Sequence, residues 1–392
     1  MKHHIKSKSF YTHLQCHYCG RIYDKHKIHT FCQDDNQPLE AYYSFDNSWS
    51  KDSLRGRANN MWRYREVLPI ENEENQISLG EGFTPLLQLA KLESRYDQSE
   101  LFLKDESGNP TGSFKARGIS MAVSKAKELG VKEMCIPTAG NAGSALSAYC
   151  AKAGIGAHIF MPEATPVVFQ LDCEIMGAKV TKVKGNISDA ANLMRSKNDG
   201  SWFDVSTLKE PFRLEGKKTM GYEIIEQLHW QLPDVILYPT GGGTGLIGIW
   251  KALQEMKTLG WLTHIPTRMV AIQVAGCNPV VQAFQKKLDY IPMYENPAPT
   301  IANGLRVPHP FGDRMIMKTL YESKGTAVSV TEEEIRQSLD EFAKTEGLFL
   351  SPEGAAVWMG YKKLKENNWI KPDDSVVLLN TGSVYKYVEN LV

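Results

Sequence analysis

The 392-residue chain has no excess charge of either sign: 45 lysines and arginines balance 45 aspartates and glutamates. That removes the electrostatic case for nucleic acid or an anionic membrane as a partner, since both call for a basic surplus. No run of about eighteen apolar residues occurs, so no membrane-spanning helix is expected. The opening Met1-Lys-His-His-Ile-Lys-Ser-Lys-Ser-Phe10 is basic but lacks the apolar core of a secretory signal, which points to the cytoplasm. Without a secretion signal, the seven cysteines read as thiols or metal ligands and not as disulfides. Internal repeats and low-complexity segments are also lacking, which leaves ordinary globular domains.

What is there suits such domains. Apolar residues make up 42% and charged residues 23% of the chain, and the length allows two or three domains. Residues 1–45 hold three of the seven cysteines and six of the ten histidines. A segment this short cannot build an adequate core alone, so a metal-stapled module is expected there. A polar linker leads to Leu79-Gly-Glu-Gly-Phe-Thr-Pro-Leu86 and the main body. Beyond it, strand-like runs are predicted at 101–104, 133–136, 157–161, 180–183, 202–205, 235–238, 269–274, 327–330 and 376–379. Helical spacing runs between them, as over 142–153. Thr331-Glu-Glu-Glu334 is a capping box, with the helix closing at Gly347, and Ser351-Pro352-Glu353 opens another helix. Strands alternating with helices predict an α/β fold with a mainly parallel sheet covered on both faces.

Four segments carry chemistry. Asn109-Pro-Thr-Gly-Ser-Phe-Lys115-Ala-Arg-Gly118 sets a lysine in a small-residue turn after a strand and before a helix, where α/β sheets bind ligands. A lysine amine can condense with an aldehyde cofactor and later act as a base. Pro239-Thr-Gly-Gly-Gly-Thr-Gly245 links a strand to a helix N-terminus and can cradle a phosphate. It lacks the Gly-Lys-[Ser/Thr] of a P-loop and the spacing of a dinucleotide fingerprint. Thr138-Ala-Gly-Asn-Ala-Gly143 repeats the strand-to-helix pattern and can hold a carboxylate, with Asn141 able to bond a ring hydroxyl. Asn380-Thr381-Gly-Ser383 ends a strand with two hydroxyls.

These motifs occur in the order seen in fold-type II pyridoxal phosphate (PLP) enzymes. Together with Ser78–Leu86, Pro211–Thr219, Gly304–Pro308 and Ser351–Ala356, they make residues 75–388 resemble the threonine synthase family. The resemblance implies two three-layer αβα domains behind a small zinc-ribbon-like module at 1–45. The large PLP-binding domain would comprise 46–118 and 216–392, and 119–215 would form a smaller mobile domain. It implies Lys115 as the cofactor-bonded lysine and proton shuttle, Asn141 at the cofactor 3′-oxygen, and Thr381 at the pyridine nitrogen. Gly241, Gly242, Gly243, Thr244 and Gly245 would wrap the cofactor phosphate, and Thr138, Ala139, Gly140 and Ala142 the substrate carboxylate. Lys104, Asn186, Arg213 and Lys218 would hold a substrate phosphate. The implied reaction converts O-phospho-L-homoserine and water to L-threonine and phosphate, in a homodimer. A threonine or serine dehydratase is the alternative, and a non-catalytic PLP-binding protein a third reading. The chain departs from the family at Val384-Tyr385 and at Gly108, which bears on substrate choice.

Cys16-x2-Cys19-x12-Cys32 has zinc-ribbon spacing with one ligand missing. Asp35, in Cys32-x2-Asp35, falls where a fourth cysteine would sit, and a Zn2+ site of Cys16, Cys19, Cys32 and Asp35 is expected, with His29 or His17 as alternative fourth ligands. Cys135, Cys150, Cys173 and Cys277 read as core residues.

Overall fold

A computed structural model of the protein describes residues 9–46 and 48–391. They form two compact units. The first comprises residues up to Gly82, Asn109–Thr111 and Lys115–Thr219; the second comprises Phe83–Gly108, Gly112–Phe114 and the chain from Met220 onward.

The first unit opens with β1 (Tyr11–Cys16), β2 (Ile22–Tyr23) and β3 (Leu39–Tyr43), an antiparallel sheet in the order β2-β1-β3. These strands are short and half polar, and they bury Leu14, Leu39 and Ala41 against Met61, Trp62, Met121, Ala122 and Phe212. The small module thus borrows its core from the main body of its own unit.

The next strands, β4 (Leu86–Gln88) and β5 (Glu100–Asp105), belong to the second unit. The four-stranded sheet of the first unit consists of β6 (Glu133–Pro137), β7 (Gly156–Pro162), β8 (Lys179–Val183) and β9 (Phe203–Asp204), all parallel, in the order β8-β7-β6-β9. In the second unit β10 (Val235–Pro239), β11 (Arg268–Val274), β12 (Thr326–Val330) and β13 (Ser375–Asn380) complete a six-stranded sheet, β12-β11-β10-β13-β5-β4. Only the β4–β5 pairing is antiparallel. Val235-Ile-Leu-Tyr-Pro239 is buried at every position, as expected of a parallel strand covered on both faces.

Eleven α-helices connect these strands among the described residues. α1 (Ala90–Tyr96) precedes β5, and α2 (Lys115–Glu128), α3 (Asn141–Ala153), α4 (Val167–Ile175) and α5 (Ile187–Lys197) follow in the first unit. α6 (Phe212–Gln227) supplies the last residues of the first unit and the next of the second. α7 (Thr244–Thr258), α8 (Pro279–Gln285), α9 (Asp313–Glu322), α10 (Glu332–Glu346) and α11 (Pro352–Glu366) belong to the second. α10 starts at the expected box: Thr331 Oγ1 accepts from the Glu334 N–H at 3.2 Å and Glu334 Oε2 from the Thr331 N–H at 2.7 Å. Gly347, at φ 72°, closes it in the left-handed region. All nine predicted strands are present, in the α/β arrangement with mainly parallel sheets that the sequence predicts. Cys135, Cys150, Cys173 and Cys277 are buried thiols, as read from the sequence.

Candidate active site

Lys115 is the first residue of α2 and is half-buried. The residues before it are fixed to the end of β13 within the second unit. Ser113 bridges Gly382 antiparallel, the Phe114 N–H donates to the Thr381 carbonyl at 3.0 Å, and the Ser383 N–H donates to the Gly112 carbonyl at 2.8 Å. Just upstream, Thr111 and Gly112 both take positive φ, 62° and 69°. For threonine this is a strained conformation, held where the chain must turn sharply into the bridge.

The glycine loop of the second unit is built by exclusion. A Cβ at Gly241 would lie 2.1 Å from the Gly304 carbonyl oxygen, and one at Gly245 would lie 2.0 Å from Tyr238 Oη. Gly243, at φ 75°, is the N-cap of α7, and no side chain caps that helix. Since the first turn of a helix has N–H groups without intrahelical acceptors, the loop offers donors and the positive end of the dipole together. The Gly304 N–H is held by Glu353 Oε1 at 2.9 Å, so two further family motifs close on the same loop. Tyr238 Oη and Ser113 Oγ are buried without a hydrogen-bond partner among the described residues. Buried hydroxyls seldom stay unsatisfied, so both suit a polar ligand. A phosphate-bearing ring fits this loop: a helix N-terminus open to an anion, a cradle that side chains would fill, and spare hydroxyls.

The first unit carries a second such terminus. Asn141 opens α3 after Gly140, again without a side-chain cap. Thr138 Oγ1 accepts from the Gly140 N–H at 3.2 Å and shapes the turn, and Ser144 Oγ is buried with no hydrogen-bond partner among the described residues. On α6, Arg213 and Lys217 lie four residues apart and so share one face. Both are 1% exposed. Arg213 Nη1 donates to the Val205 carbonyl at 2.5 Å, while its Nε and Nη2 have no hydrogen-bond partner among the described residues. Glu210 and Asp204 are carboxylates nearby, and the two Glu210 oxygens accept the Phe212 and Arg213 N–H groups at 2.8 Å each. Burial pushes the Glu210 carboxyl up to about 7. Burial first, then Arg213 and Lys115, pulls the Lys217 ammonium well below the ordinary lysine value.

The other expected residues sit differently. Lys104 Nζ, wholly buried, donates to the Thr84 carbonyl at 2.7 Å, Gln227 Oε1 at 2.9 Å and Glu223 Oε2 at 3.0 Å. Three such bonds occupy the three ammonium hydrogens. Lys218 Nζ pairs with Glu215 Oε2 at 2.5 Å and lies 3.8 Å from the Tyr43 ring centroid. It points off the Arg213 face, because five residues along a helix is about 140° of rotation. Asn186 caps α5: its Oδ1 accepts from the Ser188 N–H at 2.7 Å. Lys217, Glu210, Ser113 and Tyr238 were not singled out in the sequence. The i, i+4 spacing from Arg213 was the available signal for Lys217.

Comparison with known proteins agrees with this chemistry. Residues 77–382 match the family described as pyridoxal-phosphate dependent enzyme. The chain is 37% identical to a threonine synthase of Methanocaldococcus jannaschii, across 94% of this chain and 91% of that protein. It is 34% identical to a threonine synthase of Methanosarcina acetivorans, across 97% and 93%. Among solved structures, maize serine racemase superposes with a TM-score of 0.69 at 19% identity, covering 85% of this chain and 99% of that one, a likeness of fold. The glycine cradle, the lysine-bearing helix and this kinship lead to one conclusion: the chain belongs to the pyridoxal-phosphate-dependent enzymes, within the threonine synthase family.

Proposed function

We propose that this protein converts O-phospho-L-homoserine and water into L-threonine and phosphate, using PLP. The observation that carries the choice of substrate is Arg213: a buried guanidinium with two N–H-bearing nitrogens unsatisfied, four residues from a buried lysine. A planar guanidinium binds two phosphate oxygens at once, and a dehydratase acting on serine or threonine has no use for one there.

Bound PLP supplies the electron sink for chemistry at Cα and Cβ. Lys115 Nζ holds the cofactor, then takes and returns the substrate protons. The residue before it, Phe114, donates its N–H to the Thr381 carbonyl. Gly241 to Gly245 hold the cofactor phosphate, Asn141 the 3′-oxygen and Thr381 the ring nitrogen. Thr138, Ala139, Gly140 and Ala142 orient the substrate carboxylate at the N-terminus of α3. Arg213 binds the substrate phosphate with the Asn186 amide, and Lys217 adds positive charge. Lys104 and Lys218 act one step removed, by anchoring Glu223 and Glu215. The enzyme is proposed to work as a homodimer in the cytoplasm.

The test incubates PLP-loaded protein separately with O-phospho-L-homoserine, L-threonine and L-serine. Phosphate and threonine are expected in equal amounts from the first, with Arg213→Ala lowering kcat/KM at least a hundredfold. Keto acid from threonine or serine, with phosphohomoserine inert, would make the protein a dehydratase.

A further inference from the structure

The module of β1–β3 ends in two turns that share one backbone pattern. In the first, the Cys16 N–H donates to the Arg21 carbonyl at 2.8 Å and the Gly20 N–H to the Cys16 carbonyl at 3.1 Å. In the second, the Cys32 N–H donates to the Gln37 carbonyl at 2.9 Å and the Asn36 N–H to the Cys32 carbonyl at 3.0 Å. The fifth residue of each turn is left-handed, Gly20 at φ 76° and Asn36 at φ 57°. Cys16 therefore corresponds to Cys32, and Cys19 to Asp35.

The side chains follow the backbone. The thiols of Cys16, Cys19 and Cys32 and the Asp35 carboxylate all lie within 4.8 Å of one another. Cys16 Sγ is 3.3 Å from Asp35 Oδ2, and Cys19 Sγ is 3.6 Å from Cys32 Sγ. Ligands about 2.3 Å from a tetrahedral zinc ion stand about 3.8 Å apart, so the cluster has nearly the required size. Donors also aim at the ligand atoms from outside. The Tyr18 and Cys19 N–H groups reach Cys16 Sγ at 3.3 and 3.4 Å, Tyr23 Oη reaches Cys32 Sγ at 3.2 Å, and the Gln37 N–H reaches Asp35 Oδ1 at 2.9 Å. Such outer donors support anionic ligands around a metal. His29 Nε2 instead lies 3.0 Å from the Asp24 carbonyl, in the intervening loop.

We infer that the two turns form a Cys3Asp zinc site, with Asp35 as the fourth ligand, and that its metal braces the helices bearing Lys115 and Arg213. The brace is read from packing inside the first unit. The module's core includes Met121 and Ala122 of α2 and Phe212 of α6. From β3, Tyr43 Oη donates to Glu215 Oε2 at 2.7 Å, the same carboxylate that pairs with Lys218. Three thiolates and one carboxylate in a tetrahedral set favour zinc over magnesium or calcium, which take all-oxygen shells.

The test uses the full-length, PLP-loaded protein, purified without added metal. Elemental analysis is expected to give about one zinc per chain, and replacement by Co2+ to give the intense visible bands of a tetrahedral thiolate site. Competition with a chromophoric chelator should show Asp35→Ala binding zinc at least tenfold more weakly than wild type, and Asp35→Cys at least as tightly. Stripping the zinc should lower the thermal midpoint of the cofactor-loaded protein. Less than a tenth of an equivalent of zinc in wild type, without a tetrahedral Co2+ spectrum, would overturn the site, whatever the variants do. Wild-type affinity in Asp35→Ala would remove Asp35 as a ligand. An unchanged midpoint on stripping would remove the brace. None of these readings depends on which substrate the enzyme turns over.

Discussion

Glu210 and Arg213 carry opposite charges within one turn of chain, and burial acts against both. Its cost dominates for Glu210, whose carboxyl is raised from 4.5 to about 7 despite Arg213 and two backbone donors. The sign follows from linkage. A raised carboxyl binds its proton more tightly in the folded chain, so its contribution is fully present below the unfolded value and is lost as pH rises through the folded one. Wild type measured against Glu210→Gln by denaturant unfolding is therefore expected to lose relative stability between pH 5 and pH 8. The loss should be on the order of 2 kcal/mol. Parallel pH profiles for the two proteins would mean that Glu210 titrates like an exposed carboxylate. Lys104, also wholly buried, is met by three acceptors.

Two glycines set the distance between α2 and the first half of α6. A Cβ at Gly216 would fall 2.1 Å from the Arg117 carbonyl oxygen, and one at Gly118 would fall 2.7 Å from the Arg213 carbonyl oxygen. Backbone thus rests on backbone where the Lys115 helix meets the Arg213 helix. Alanine in an exposed helix interior normally stabilises by about 1 kcal/mol over glycine. Here the overlap should win, and Gly216→Ala is expected to destabilise by about 2 kcal/mol or more, read as a fall in urea midpoint. Gly108→Ala, whose Cβ would meet open space, should stay within about 0.5 kcal/mol. This contact could not be read from the sequence, because Gly118 and Gly216 look like ordinary helix residues until two helices are laid together. The strands were legible because parallel strands buried on both faces are continuous apolar runs, as in Val235–Tyr238. β4 is not legible: three residues, Leu86–Gln88, are too few to show alternation. Motif likeness points to Lys218, whereas helical rotation puts Lys217 on the Arg213 face.

The two units have separate, mainly parallel sheets, and the proposed chemistry draws residues from both. Water must enter only late in the reaction, so residues 119–215 are proposed to close as a smaller domain once substrate is bound. Limited proteolysis should then slow severalfold when a non-hydrolysable phosphonate analogue of the substrate is added to PLP-loaded protein. An unchanged cleavage rate would count against closure.

The order β12-β11-β10-β13-β5-β4 puts the last strand of the chain in the interior of its sheet. β10 on one side and β5 on the other meet only through β13. A ribosome that has not yet delivered residues 375–380 therefore holds two half-sheets, each with an unpaired apolar edge, and unpaired edges invite association with other chains. The same late residues carry Thr381 to Ser383, the partners of the segment just before Lys115. Lys115 is made well before these residues, and the segment preceding it finds its partners only once they are delivered, so a stop before residue 375 is expected to leave an aggregating fragment and not a shortened enzyme.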